Sequence, residues 1–330
     1  MSDARPVLVT GATGFFGGNL ARALAERGAH VRVLVRGGRR PVALEGFEYE
    51  IVDGDLCDER AVALAVRGCR HVYHAAAQLV FWCANAKARE AVWRVNVDGT
   101  RAVLRAAGAA GVDRVLHVST VDAIDVAAPG EIADETTDWP PGRLDNPYAA
   151  SKREAEALAR QAGVWTVVVN PAFMIGPYDV KPSSGRLLLP LARGPLVGYP
   201  VRGGTCCVDV RDAVAGALAA IERGRRGERY ILGGENLTYR ALFARALAVL
   251  GRRPLNVPIS SGAARVAGRV FDLFGRITGR EPLFPSTLAR AAFMDHYYSS
   301  AKAVRELGYP QTPIEQALRD AFAWYRQSRM

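Results

Sequence analysis

Val7-Leu8-Val9-Thr10-Gly11-Ala12-Thr13-Gly14-Phe15-Phe16-Gly17-Gly18, running into the helix-forming segment Asn19 to Arg27, decides how this chain folds. Four apolar or β-branched residues make a short strand. The glycines then let the backbone turn tightly, approach a pyrophosphate without a Cβ in the way and bring the next helix close to the strand. The amino end of that helix offers free N–H groups to phosphate oxygens. In a chain with 33 glycines in 330 residues, the spacing Gly-x2-Gly-x2-Gly arises by chance roughly a third of the time. Its position between a strand and a helix is what makes it a dinucleotide-binding turn.

Working outward, short apolar runs alternate with amphipathic segments: Val7 to Thr10, His30 to Val35, Tyr49 to Val52, His71 to Ala76, Arg114 to Ser119 and Trp165 to Asn170. That alternation predicts an α/β fold, a Rossmann-type doubly wound parallel sheet with helices on both faces and the ligand at the carboxyl ends of the strands. Residues 1–172 are read as the dinucleotide-binding domain and 173–330 as mainly a smaller C-terminal substrate lobe. Helices are expected near Tyr239 to Leu250, Ala263 to Ile277 and Ile314 to Tyr325. Within the second part, 205–225 reads as a strand and helix returning to the sheet.

Composition excludes several classes. The longest uncharged stretch, Gln161 to Tyr178, is 18 residues and is broken by Asn170-Pro171 and Gly176-Pro177, so no membrane span is expected. The start of the chain carries no apolar signal region, and the expectation is a cytoplasmic protein. The net charge is +10, but the only lysines are Lys87, Lys152, Lys181 and Lys302. The arginines are scattered apart from Arg36 to Arg40 and Arg223 to Arg229, without interleaved aromatics, so no nucleic-acid partner is expected. Cys57, Cys69, Cys83, Cys206 and Cys207 lack metal spacing and read as free thiols, and no metal is expected. The partner is a small-molecule substrate, and a homodimer is compatible with this reading.

An NAD-binding fold usually carries an acid at the end of the second strand, to hold the ribose 2′-hydroxyl. Arg36 stands there instead, with Arg39 and Arg40 close behind. A guanidinium suits the 2′-phosphate of NADP, so NADP is the expected cofactor and NAD the lesser one; the competing reading is a solvated basic turn. Asp55, after the third strand, is placed to accept from the adenine amino group. Ala75, Ala76 and Ala77 after the fourth strand let a cofactor lie against the backbone.

Asn146-Pro147-Tyr148 starts a helix, with Asn146 as cap and Pro147 in the first turn, and Lys152 follows Tyr148 by four residues on the same face. Chance Tyr-x3-Lys pairs number only about 0.13 in a chain with 11 Tyr and 4 Lys. A lysine ammonium roughly 4 Å from a phenol lowers its pKa toward the range of useful proton transfer. The fifth strand ends His117-Val118-Ser119-Thr120, where a hydroxyl can donate to a developing oxyanion. His117 reads as a satisfied core residue. Leu79 to Trp82 and Phe173-Met174 fall at the cleft edge, as an apolar wall or as ordinary core.

These motifs resemble the extended short-chain dehydrogenase/reductases, the NAD-dependent epimerase/dehydratase family. Thr10 to Gly17, Asn96 in Val95-Asn96-Val97-Asp98-Gly99-Thr100, Thr120, Tyr148 with Lys152, and Asn170-Pro171 leading to Gly176-Pro177 occur in the family's order. Gly176 to Pro182, Tyr230 to Thr238 and Ser300 to Gly308 are similar to its dihydroflavonol reductase-like branch, which includes hopanoid-associated sugar epimerases. The resemblance implies Thr120, Tyr148 and Lys152 as catalytic residues. It implies a cofactor set of Gly11, Thr13, Gly14, Phe15, Phe16, Gly17, Arg36, Asp55, Leu56, Ala75, Ala76, Ala77, Ser119, Tyr148, Lys152, Asn170 and Pro171, with Pro171 on the carboxamide side of the nicotinamide. Gln78, Phe81, Asn96, Phe173 and Met174 are the candidate substrate residues.

The activity this implies is NADP-dependent reduction of a ketone or aldehyde, or oxidation of the matching alcohol. The alternatives are a nucleotide-sugar epimerase or dehydratase with transient hydride transfer, and a non-catalytic NADP-binding sensor. Sugar dehydratases of the family follow the Thr with Asp and Glu, whereas this chain has Val121 and Asp122, and valine supplies no general acid for elimination.

Overall fold

The computed structural model describes residues 5–328 apart from 81, 84, 129, 138–145, 195, 254, 280, 281 and 283. Along its first half the chain runs β1 (Val7–Thr10), α1 (Phe15–Glu26), β2 (Val31–Val35), β3 (Glu50–Asp53), α2 (Glu59–Val66), β4 (His71–His74), α3 (Ala86–Trp93), α4 (Gly99–Ala109), β5 (Arg114–Val118), α5 (Pro147–Arg160) and β6 (Thr166–Pro171). The second half adds β7 (Phe173–Ile175), α6 (Gly185–Arg193), β8 (Leu196–Pro200), β9 (Gly204–Asp209), α7 (Val210–Arg223), β10 (Arg229–Leu232), β11 (Glu235–Thr238), α8 (Tyr239–Val249), β12 (Leu255–Ile259), α9 (Ser261–Thr278), α10 (Ser286–Ala291), β13 (Asp295–His296), α11 (Ala301–Leu307) and α12 (Ile314–Gln327).

The main sheet has the order β10-β6-β5-β4-β1-β2-β3 and every pair in it is parallel. The expected doubly wound sheet is therefore present. Away from the edge strand β3 the sheet is covered on both faces: Leu8, Val33, Val72, Val115, Leu116 and Val167 to Val169 are fully buried. The order reverses between β1 and β4, which opens the crevice where such folds bind ligands.

One expectation about the second half is corrected. The strand of the 205–225 segment does not return to the main sheet. It is β9, the centre of a second sheet, paired with β7, β11 and β13. Only α7 goes back, packing against β5, β6 and α1, and β10 supplies the seventh strand. The Ala-rich face of α7, with Ala213, Ala217 and Ala220 fully buried, carries the periodicity that pulled the whole segment toward the sheet. A separate core around Leu188, Leu242, Leu247, Leu318 and Phe322 holds the second sheet to α6, α8 and α12. No helix among the described residues is long and apolar enough to cross a membrane.

Candidate active site

The turn after β1 is built for close approach. Gly11 has φ +76°, and a Cβ on it would stand 2.6 Å from the Ala76 nitrogen and 2.7 Å from the Ala75 carbonyl carbon. A Cβ on Gly17 would overlap the Gly11 carbonyl oxygen, so Gly17 lets α1 sit against the turn. Gly14 caps α1 without a side-chain hydrogen bond and no acid lies in its first turn, leaving the helix's first N–H groups and its positive end open to an anion. Ser119 Oγ and Asn170 Oδ1, at the ends of β5 and β6, are buried without a partner. A glycine cradle, an uncapped helix end and two orphaned polar atoms at the carboxyl edge of the sheet fit a dinucleotide.

A polar chain, whose links the sequence motifs do not show, ties this turn to α5. The Ala76 N–H donates to Thr10 Oγ1 (3.2 Å), which lies 2.8 Å from His74 Nδ1; His74 Nε2 lies 2.9 Å from Thr100 Oγ1, which donates to the Asn96 carbonyl (2.6 Å). Each hydroxyl has one proton to give, so the network assigns His74 as the neutral Nε2–H tautomer. Burial, and then the Lys152 charge, take its pKa down to about 3, in keeping with that neutral ring. Asn96, in the wide turn Arg94–Asp98, accepts from the Gln78 N–H (2.7 Å) and donates to the Gln78 carbonyl (3.1 Å) and to Ser151 Oγ (2.9 Å); Ser151 in turn donates to the Tyr148 carbonyl (2.8 Å).

Several readings of single residues change accordingly. Asn96 is buried and its amide is fully engaged, so it clamps the loop after β4 instead of meeting a substrate. Leu56 turns its side chain into the core against Gly99, which leaves only its backbone to face a cofactor. His117 is fully buried, but both ring nitrogens lack partners, so it is not a satisfied core residue; burial foremost, then Lys152 and His74, hold it well below the usual imidazole range. Phe81 lies outside the described residues. Arg36 is exposed just beyond β2, its Nη1 3.6 Å from Asp55 Oδ2. Asp55 accepts the Cys57 N–H through its other oxygen (2.8 Å), and that bond, more than Arg36, depresses its pKa against the opposing effect of burial.

Asn146 caps α5 by accepting from the Tyr148 N–H (3.0 Å), with Pro147 in the first turn. Tyr148 and Lys152 are buried one turn apart on the face that meets the sheet. Lys152 Nζ donates to the Val118 carbonyl at 2.7 Å. Burial lowers its pKa to about 8, and Glu156 on the next turn works against that. Glu156 is itself held by Arg229 (3.2 Å) and by Asn170 Nδ2 (2.7 Å), which also donates to the Thr120 carbonyl (3.0 Å). The expected lowering of the Tyr148 pKa is not what the fold produces. Burial pushes it up, the Asp122 carboxylate pushes the same way, and a hydrogen bond with Thr120 opposes them. The ammonium is directed at a backbone carbonyl, so the phenol lacks the cation that the spacing alone suggested.

Ser119, Thr120, Tyr148, Lys152 and Pro171 form the floor of a cavity of about 580 Å³ between the sheet edge and the second lobe. Ala75, Ala77, Leu79, Phe173 and Met174 line its near side, and its far side comes from α8, β12, α10 and β13, through Tyr239, Phe243, Ile259, Leu288 and His296. Asp122 also faces it, in the short turn after Thr120, and donates its N–H to Thr120 Oγ1 (3.2 Å). Burial raises the Asp122 pKa, while His296 and the Thr120 hydroxyl lower it. No group of three or more His, Cys, Asp or Glu among the described residues could hold a metal ion.

Residues 7–233 match the NAD dependent epimerase/dehydratase family. The chain belongs to that family. Its relatives span its length: a Synechocystis sp. protein provisionally named dihydroflavonol 4-reductase is 40% identical (96% of this chain, 94% of that one), sterol demethylase protein B of Methylococcus capsulatus is 35% identical (98% and 99%), and a ceramide reductase of Caulobacter vibrioides is 32% identical (98% and 96%). Among solved structures, gox2253 superposes with TM-score 0.83 at 34% identity, covering 98% of both chains. A dTDP-glucose 4,6-dehydratase from Streptomyces venezuelae with NAD bound superposes with TM-score 0.74 at 25% identity, over 98% of this chain and 97% of that one. With relatives named as reductases, the chain is an NAD(P)-dependent oxidoreductase of this extended short-chain family.

Proposed function

We propose that the protein uses NADPH to reduce a ketone or aldehyde carried on a largely apolar substrate. The observation that carries this reading is the convergence of Thr120, Tyr148 and Lys152 on the floor of a cavity whose walls are mostly apolar. Gly11 to Gly17, Ala75 to Ala77, Ser119, Asn170 and Pro171 would hold the dinucleotide, and Arg36 its 2′-phosphate. A nicotinamide bound there supplies the hydride. The rest is the work of side chains. Tyr148, whose raised pKa keeps the phenol protonated at neutral pH, gives its proton to the carbonyl oxygen, and Thr120 donates a second hydrogen bond as negative charge develops. Lys152 holds the Val118 carbonyl and hence the end of β5 in place.

The names of the sterol and ceramide relatives favour a lipid-like substrate over a free sugar. Arg186 and Arg290 on the cavity wall favour the second reading, in which a nucleotide sugar with its diphosphate is epimerised. The test is incubation with NADPH deuterated at the transferable position, together with a panel of cyclic ketones, β-keto acyl compounds and nucleotide sugars. The expected result is stoichiometric NADPH oxidation with deuterium retained in an alcohol. Conversion of a nucleotide sugar with no net cofactor change would overturn it.

A further inference from the structure

Helix α9 presents the wrong side to solvent for an ordinary surface helix. Its inner face is made of small residues: Ala264, Gly268 and Gly275 are buried. A Cβ on Gly268 would stand 2.8 Å from Ser286 Cα and 3.0 Å from Ala289 Cβ, so the helix lies directly on α10, and Asp272 accepts the Ser286 N–H (3.2 Å). The large apolar side chains point outward. Val266, Val270, Leu273, Phe274 and Ile277 recur at helical spacing along one stripe and are each between 61% and 75% exposed. Soluble monomers rarely leave such a contiguous stripe uncovered. At 100° per residue, Arg265, Arg269 and Arg276 fall in a row along one border of the stripe, all exposed.

We propose that the outer face of α9 docks on the surface of an anionic phospholipid bilayer. An amphipathic helix with large apolar residues on one sector and arginines beside it lies in the plane of the headgroups, its apolar side in the acyl boundary. Charge selects this occupant over a second copy of the chain. The arginine row and the net charge of +10 attract anionic headgroups, and the same charges repel another copy. The position of the helix supports the same occupant. Ile259 just before α9, Ala264 on its inner face, and Thr287 and Leu288 of α10 line the active-site cavity, so a docked α9 sets the mouth of the cavity at the acyl boundary. Docking stands independently of the catalytic reading. The entry of an apolar carbonyl substrate from the bilayer rests on that reading.

The test is co-sedimentation of the full chain with phosphatidylcholine vesicles, with and without phosphatidylglycerol. It is repeated for Val270→Glu/Phe274→Glu and for Arg265→Gln/Arg269→Gln, with circular dichroism and NADPH affinity as folding controls. The unmodified protein is expected to pellet with the anionic vesicles. Each double variant should lose on the order of tenfold in partition while keeping its fold and NADPH affinity, since each basic residue near an anionic surface contributes severalfold. Failure of the unmodified protein to pellet, or pelleting of the Glu variant to the same extent, would overturn the proposal. So would an unmodified dimer, made monomeric by the Glu substitutions, with neither form binding vesicles, which would assign the stripe to a second copy. Turnover of a water-soluble ketone, measured alongside, reads the catalytic proposal separately.

Discussion

Replacing Lys152 by Met should stabilise the fold at neutral pH. The ammonium is buried and its pKa stands at about 8 against the ordinary 10.5, a gap that corresponds to roughly 3 kcal/mol against the charged form at pH 7. Methionine removes that cost and fills a similar volume. What it forfeits is the bond to the Val118 carbonyl, about 1 kcal/mol net. Glu156 is not orphaned by the change, because Arg229 and Asn170 still hold it. The variant should therefore be about 2 kcal/mol more stable at pH 7, about 3 °C in Tm for a chain of 330 residues.

The sign of the pH dependence follows from proton counts. Between pH 8 and 10.5 the unfolded chain still holds the Lys152 proton that the folded chain has released, so the stability of the unmodified protein rises with pH across that window. The advantage of the variant should shrink over the same range and reverse above it, where only the lost hydrogen bond remains. Urea unfolding followed by tryptophan fluorescence at pH 7, 8.5 and 10 measures this directly. A variant less stable than the parent at pH 7, or a stability difference that stays flat with pH, would refute the reasoning.

Three further substitutions probe the remaining parts of the site. Arg36→Ala should weaken NADPH by about 1.5 to 3 kcal/mol and leave NADH unchanged if Arg36 makes the proposed charge-assisted bonds, which would reach the 2′-phosphate alone; equal affinities of the parent for the two cofactors by calorimetry would contradict it. Tyr148→Phe should cut turnover by about 10²- to 10⁴-fold with NADPH affinity retained, and a variant keeping more than about a tenth of the rate would require a different acid. Asp122→Asn removes a carboxylate that raises the Tyr148 pKa, so the alkaline limb of the reduction rate should move to lower pH; a limb that stays in place would show that the charge does not reach the phenol.

The glycine turn, the six strands and the Tyr148–Lys152 pair were legible because each is set by residues close together in the chain. The Thr10–His74–Thr100–Asn96–Ser151 chain was not. Thr10, Asn96 and Thr100 lie in the quoted motifs, but the chain's members are spread over 142 positions, and only the parallel register that sets Thr10 opposite His74 brings the first two together. The far wall of the cavity comes from α8, β12, α10 and β13, none of which carries a motif. Helix α9 was foreseen as a helix, but which side it buries was not. A periodic apolar stripe normally marks the inner face, and here the close contact at Gly268 gives that place to the small residues.

Burial acts on the groups at the cavity floor in one direction, and that bears on the reaction. It raises Tyr148, lowers Lys152 and raises Asp122, in each case toward the uncharged form, because the same apolar walls remove water from all three. A protonated phenol is the state required to reduce a carbonyl. Elimination from a sugar would need an acid that this floor lacks directly after Thr120, where Val121 has no proton to give a leaving oxygen. For the proposed reduction the apolar walls act twice: by excluding water they keep the phenol protonated at neutral pH, and by the same exclusion they suit the apolar substrate proposed above.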